Sequence, residues 1–347
     1  MSLAPLPNID FLKDLKLFLQ DRHYQLDDLS HEFESSVEDL ISKTGLFSLI
    51  EIQKDYFDEN FWFFNKKVPL EQAYHHYSKD SVQQWIQNGI IQQEQNYIQS
   101  YFTFIPYEGF LYLGDRIQDN TFSDDEQVMP ASFSTMSLFR HLNSTPGPIL
   151  ELGCGSGFLG IHMAKGKSNP LILTDLNPRA VKIATLNSKL NNIGANSNVY
   201  NWKDALTQFT EFENVIFNTP SMPVYKTNSL LVNFYGNRIN QITQETLEVI
   251  DRFKNIDFYL WTILCLTEEV NTPEKFIEHH LPLNHNTFSF YKDTASPFSL
   301  SPKHILKRKI PLGNWLLQNK EDKELFFSYL ANNQITEIIS GVIKLQT

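Results

Sequence analysis

The ten residues ELGCGSGFLG, Glu151–Gly160, constrain the fold of this chain more than any other stretch. They lie between the apolar run PIL, residues 148–150, and a helix-patterned FLGIHMAK, residues 158–165. A loop with glycine at 153, 155 and 157 needs backbone angles that side chains resist, so it belongs to a tight corner between a strand and a helix. The chain beyond this corner keeps the same alternation. LILTD ending at Asp175 reads as a strand, PRAVKIATLNSKLNN from Pro178 as a helix, and NVIFN ending at Asn218 as another strand. Strands alternating with helices predict an α/β fold: a Rossmann-like, doubly wound, mostly parallel sheet, here expected to have seven strands.

The chain ahead of that pattern reads differently. Apolar residues from Ile9 to about Glu94 recur at three- and four-residue spacing, as in FLKDLKLFLQ and SVEDLISKTGLFSLI, which predicts short amphipathic helices throughout. SKDSVQQWIQNGII is read as one more helix. YIQSYFTFIP and GFLYLGDR around PYEG are read as a β-hairpin, and helix plus hairpin resembles a winged-helix module. The polar stretch DNTFSDDEQVMPASFSTMSL then marks a boundary and turns helical through Phe139. The expected division is a helical, winged-helix-like substrate or lid domain over 1–120 and the α/β domain over 121–347. The aromatic run DYFDENFWFF suits a domain core better than a pocket wall.

Two glycine motifs overlap in the corner. Gly155, Gly157 and Gly160 spell the G-x-G-x-x-G of dinucleotide folds, but its first glycine would come two residues late after the strand. Gly153, Gly155 and Gly157 spell G-x-G-x-G directly behind Glu151. A carboxylate at the strand tip repels a pyrophosphate and suits a cationic amino acid moiety. S-adenosyl-L-methionine (SAM) carries an ammonium and a sulfonium and no phosphate, so the charge favours SAM. Asp175 stands where a carboxylate accepts both hydroxyls of a ribose, although it could instead cap the helix beginning at Pro178. Asp204, after NVYNWK, is a candidate acceptor for the adenine amino group, with Leu176 and Ala205 flanking the ring.

LELGCGSG, LTDLNPRAV, NWKDAL and NVIFNTPSMP, in this order, resemble the class I SAM-dependent methyltransferases, and the resemblance covers about residues 128–270. EQVMPASFST and the closing LFFSYLANNQITEIISGVIKLQT are similar to the branch with N-P-P-[YFW] after the fourth strand, which includes the HemK-like glutamine methyltransferases. The resemblance implies SAM as cofactor, S-adenosyl-L-homocysteine as product, and cofactor contacts from Glu151, Gly153, Gly155, Gly157, Asp175, Leu176, Asp204, Ala205 and Asn218. It also implies that Asn218 holds the acceptor nitrogen. Thr219, Pro220 and Ser221 complete that tetrapeptide, with Thr219 in place of a proline and Ser221 in place of the aromatic. Tyr225 is the expected substitute for the missing ring, and Tyr235, Asn237 and Arg238 are further substrate-side candidates. A turn with no catalytic role is the competing reading of NTPSMP.

Charge narrows the partners. With 29 basic and 40 acidic residues the formal charge is -11, which disfavours nucleic acid and leaves a small molecule or peptide as the expected acceptor. Protein glutamine or RNA methylation, and SAM binding without catalysis, are the alternatives. Cys154 and Cys265 are the only cysteines, and the histidine pairs at 75–76 and 279–280 put neighbours on different helix faces, so no metal is expected. No 18-residue apolar run or basic leader occurs, and a reducing cytoplasm without a membrane partner is the expected setting.

Overall fold

The computed structural model describes residues 3–33, 35–42, 56–116, 126–143, 146–221, 239–250, 252–281, 287–293 and 320–346. Helix α1, Ile9–Asp21, begins where the Asn8 side chain accepts Asp10 N–H at 2.8 Å, and it buries Leu12, Leu15 and Leu19 on one face. Helices α2 (Asp27–Glu32) and α3 (Val37–Ser42) follow. The remainder of SVEDLISKTGLFSLI lies outside the described residues. A π-helical turn, Glu59–Phe63, turns Phe61, Trp62 and Phe63 inward, so the described part of the aromatic run is core.

Strand β1 (Val68–Pro69), helices α4 (Leu70–Tyr77) and α5 (Lys79–Gln87), and strands β2 (Ile91–Glu94) and β3 (Tyr97–Ser100) come next. The three strands form an antiparallel sheet in the order β1-β3-β2. This corrects the helical reading of residues 9–94. Gly89, at φ +69°, ends the helix that the sequence pattern carried on through NGII, and Ile91 is released to pair with Ser100. YIQS is likewise not part of the predicted hairpin. That hairpin is β4 (Phe102–Tyr107) with β5 (Phe110–Asp115), turning at Glu108 and Gly109, both at positive φ.

The α/β part runs α6 (Phe133–Phe139), β6 (Ile149–Leu152), α7 (Phe158–Met163), β7 (Leu171–Asp175), α8 (Pro178–Leu190), β8 (Asn196–Val199), α9 (Trp202–Gln208) and β9 (Asn214–Asn218). It continues with α10 (Gln241–Ile250), β10 (Asp257–Leu266), α11 (Pro273–His280), β11 (Thr287–Lys292), α12 (Lys320–Asn332) and β12 (Glu337–Gln346). The seven strands lie in the order β11-β12-β10-β9-β6-β7-β8. All neighbours are parallel except β12, which is antiparallel to both β10 and β11. This is the mostly parallel, doubly wound sheet the sequence predicts. From β6 the chain winds out to β8 and returns to β9 on the other side, so the strand order reverses between β6 and β9. A ligand crevice opens there, beyond the carboxyl ends of the strands. No helix among the described residues is long and apolar enough to cross a membrane.

Two buried asparagines one turn apart on α8 fasten the hairpin to the α/β part. Asn187 accepts Leu113 N–H at 2.8 Å and donates to Leu113 O at 2.8 Å, and Asn191 does the same with Leu111 at 2.9 and 2.9 Å. The amides thus take the part of a neighbouring strand along the edge of β5. Beside them Arg179 of α8 grips Asp115 through both carboxylate oxygens, at 2.8 and 2.5 Å, with both side chains buried.

Candidate active site

The glycine corner after β6 has the geometry its composition calls for. Gly153, Gly155 and Gly157 sit at φ +58°, +53° and +75°, where a Cβ is strained. A Cβ on Gly155 would meet no protein atom within 4 Å, so this glycine faces the open crevice. One on Gly157 would stand 3.1 Å from the Ala184 Cβ, so that glycine lets α8 close on the loop. Asn187 ties the corner to the hairpin as well, donating to Ser156 O at 2.8 Å. Cys154 is buried and burial pushes its thiol up, which leaves it a small loop residue rather than a nucleophile.

Glu151 is 3% exposed, and its Oε2 accepts Gly160 N–H at 2.9 Å in the first turn of α7. Burial raises its carboxyl to about 8; the Gly160 N–H opposes that shift and the charge of Asp175 adds to it. The dual motif is explained by the same contact. A Cβ on Gly160 would lie 2.6 Å from Glu151 Oε2, so Gly160 clears space for a carboxylate.

Asp175 closes the end of β7. Its Oδ2 accepts Gly155 N–H and its Oδ1 accepts Asn177 N–H, each at 2.9 Å, and the carboxylate keeps acceptor capacity for a hydroxyl. Burial raises its carboxyl, and the N–H groups of Asn177, Gly155 and Leu176 oppose this. The helix cap is not Asp175 but Asn177, whose Oδ1 accepts Arg179 N–H. Leu176 is 71% exposed at the strand tip, an apolar surface open to a ring. Asp204 lies inside the first turn of α9. Asn201 sits at the helix start, accepts Asp204 N–H at 2.9 Å and donates its amide to the Asp204 carboxylate. Asn201 is thus the first polar side chain at the start of α9, a position that sequence reasoning passed over in favour of the charged residue. Ala205 is wholly buried in the core beneath, among Leu152, Val215 and Phe217.

Asn218 ends β9 one strand away from the loop, since Leu152 pairs with Phe217 and the next residues are Gly153 and Asn218. Its Nδ2 donates to Ser134 Oγ on α6 at 3.0 Å. Its Oδ1 has no hydrogen-bond partner among the described residues. The two substituted positions of the tetrapeptide serve the sheet. Strand β10 runs past the end of β9 and leaves backbone groups on a free edge. Thr219 Oγ1 donates to Trp261 O at 2.8 Å, and Ser221 Oγ accepts Ile263 N–H at 2.8 Å. Asn240 completes the row by exchanging two hydrogen bonds with Cys265. Both Thr219 and Ser221 are buried. Pro220 between them is half-buried. Tyr225, Tyr235, Asn237 and Arg238 lie outside the described residues.

Residues 119–237 match the family of the methyltransferase small domain, and the match takes in the glycine corner, Asp175 and Asn218. Over that segment the chain is similar to the class I SAM-dependent methyltransferases. The chain is 30% identical over 129 residues to a protein of Methanocaldococcus jannaschii, provisionally named a protein N5-glutamine methyltransferase, covering 37% of this chain and 63% of the relative. It is 36% identical over 85 residues to the ribosomal protein L11 methyltransferase of Burkholderia orbicola, covering 24% of this chain and 27% of that one. The chain therefore spans less than two thirds of the length of either relative. A solved structure of the T. Thermophilus 16S rRNA N2 G1207 methyltransferase, in complex with AdoMet and guanosine, aligns with 65% of this chain and 60% of its own at 13% identity and a TM-score of 0.36. SAM is the cofactor of that family, and the residues present fit it: an open glycine face, a carboxylate with acceptor capacity to spare, an exposed leucine and no phosphate-binding cation on the loop.

Proposed function

We propose that the protein transfers a methyl group from SAM to a nitrogen of a small-molecule or peptide acceptor, with Asn218 holding that nitrogen. The observation that carries this reading is the state of the Asn218 amide at the strand end beside the glycine loop: its N–H₂ end is engaged by Ser134, and its oxygen accepts no hydrogen bond among the described residues. An oxygen in that place accepts an N–H from an amide or amine and turns the nitrogen lone pair away from the hydrogen bond. Bound SAM supplies an electrophilic methyl on a sulfonium that leaves as a neutral thioether. The chain has only to align the partners, and alignment supplies on the order of 7–11 kcal/mol in such reactions. Asp175, Leu176, Asn201 and the loop at 153–157 hold the nucleoside and amino acid ends, and Glu151 shapes the loop from beneath.

The N-terminal part is read as a winged-helix-like module over residues 1–120 that covers the acceptor, supported by the β1-β3-β2 sheet behind α4 and α5. The chain charge of -11 speaks against an RNA acceptor, and the glutamine and L11 relatives bring in a polypeptide acceptor as the second reading. The test is transfer of labelled methyl from SAM into dialysed cell extract divided into small-molecule, protein and RNA fractions. Native protein should label the small-molecule or peptide fraction. Asn218→Ala should cut turnover about 100-fold or more, as loss of a transition-state hydrogen bond in a preorganised site does, and leave SAM affinity within about twofold. Equal losses in turnover and SAM affinity would refute the orienting role, and label only in RNA would refute the acceptor class.

A further inference from the structure

We infer that Ser134 is a positioning residue whose hydroxyl holds the Asn218 amide in place for the acceptor; this rests on the function proposed above. An asparagine amide presents an acceptor at one end and a donor at the other, and a half-turn about its last bond exchanges them. Only the oxygen end accepts an acceptor N–H. The nitrogen end would meet that hydrogen with hydrogens of its own. At Asn218 the amide is tied through Nδ2 to Ser134 Oγ at 3.0 Å, and Oδ1 has no donor among the described residues.

Ser134 can hold the amide because its helix is itself held. Three residues on, the same face of α6 presents Ser137, which donates to Asp293 just beyond β11. Asp293 also accepts Trp261 Nε1–H at 3.0 Å and Ser340 Oγ–H at 2.7 Å. Trp261 is the residue paired with Asn218 across β9 and β10. The contacts therefore close a ring: Asn218, Ser134, one turn of α6, Ser137, Asp293, Trp261 and back through the sheet to Asn218. Ser137 sets where α6 lies along the sheet, and the i, i+3 spacing then puts Ser134 over the amide.

The experiment has one readout that does not depend on turnover. In nitrogen-edited NMR spectra, the side-chain amide pair of Asn218 is identified by its absence in Asn218→Asp, and its shift is compared in native protein, Ser134→Ala and Ser134→Thr. Ser134→Ala should move the pair towards the values of a solvated amide, and Ser134→Thr should restore it. In the extract assay Ser134→Ala should lower kcat by about three- to tenfold, the effect expected for one net hydrogen bond, with SAM affinity and melting temperature unchanged and Ser134→Thr near native. An amide pair that does not move in Ser134→Ala overturns the inference whatever the turnover, and so does a shifted pair with native kcat. A shifted and restored pair in a protein that binds SAM but labels no fraction upholds the orientation and overturns the function on which it rests.

Discussion

Replacing Glu151 by glutamine tests the electrostatics of the cofactor corner most directly. The carboxyl is buried, with one hydrogen bond from Gly160 N–H and a second carboxylate, Asp175, adding its charge. Its proton affinity rises from the ordinary 4.5 to about 8, so in this interval the folded protein holds a proton that the unfolded chain releases. Stability must then fall as pH rises through this window, by about 1.4 kcal/mol per pH unit and by up to about 5 kcal/mol in all. Glutamine keeps the volume and the oxygen that faces Gly160 N–H but carries no titrating proton. Urea unfolding of both proteins between pH 5 and pH 9 is the assay. The stability of Glu151→Gln relative to native should climb with that slope from pH 5 to about 7.5 and level off above 8. A difference that stays flat over this range would refute the burial argument. A rise that levels off well below pH 7 would mean that the carboxylate finds a compensating charge on folding.

Two other perturbations probe separate contacts. Gly160→Ala would place a methyl 2.6 Å from Glu151 Oε2 and 3.0 Å from both Leu171 and Leu173, and the strain should cost about 1–3 kcal/mol by thermal unfolding and loosen SAM binding measured by calorimetry. Arg179→Met strands the buried Asp115 charge and should destabilise by about 3–5 kcal/mol, part of which Asp115→Leu in the same chain should recover; a double variant no better than the single would show that the pair contributes shape and not charge.

The α/β half of the fold was legible because its signals are local: glycines at positive φ, apolar runs of strand length and helix starts behind them. The β4–β5 hairpin was legible for the same reason, in the turn at Glu108 and Gly109. Strands β1 and β2 were not, because IIQQEQ has helix-compatible composition and becomes a strand only through pairing with β3 after Gly89 stops α5. In the site, Gly153, Gly155, Gly157, Asp175 and Asn218 fall together at the switch point as their motifs implied. Asn201, Ser134 and Asn187 escaped notice since their roles depend on what lies opposite them in space. The two departures from the tetrapeptide motif become intelligible only with β10 in view: its edge outruns β9, and a hydroxyl at 219 and another at 221 satisfy groups that a proline and an aromatic would leave unbonded.

The asparagines of α8 and its C-cap also bear on how such a chain can be cut and rejoined. An interface of apolar side chains is indifferent to the register of its partner, because its attraction is non-directional. Asn187 and Asn191 instead offer a row of donors and acceptors cut to the spacing of a single strand, and Asn187 reaches from there to the carbonyl of Ser156 in the cofactor corner. A graft from a different head piece would have to supply an edge strand in the same register. The α/β half is therefore a poor module for shuffling.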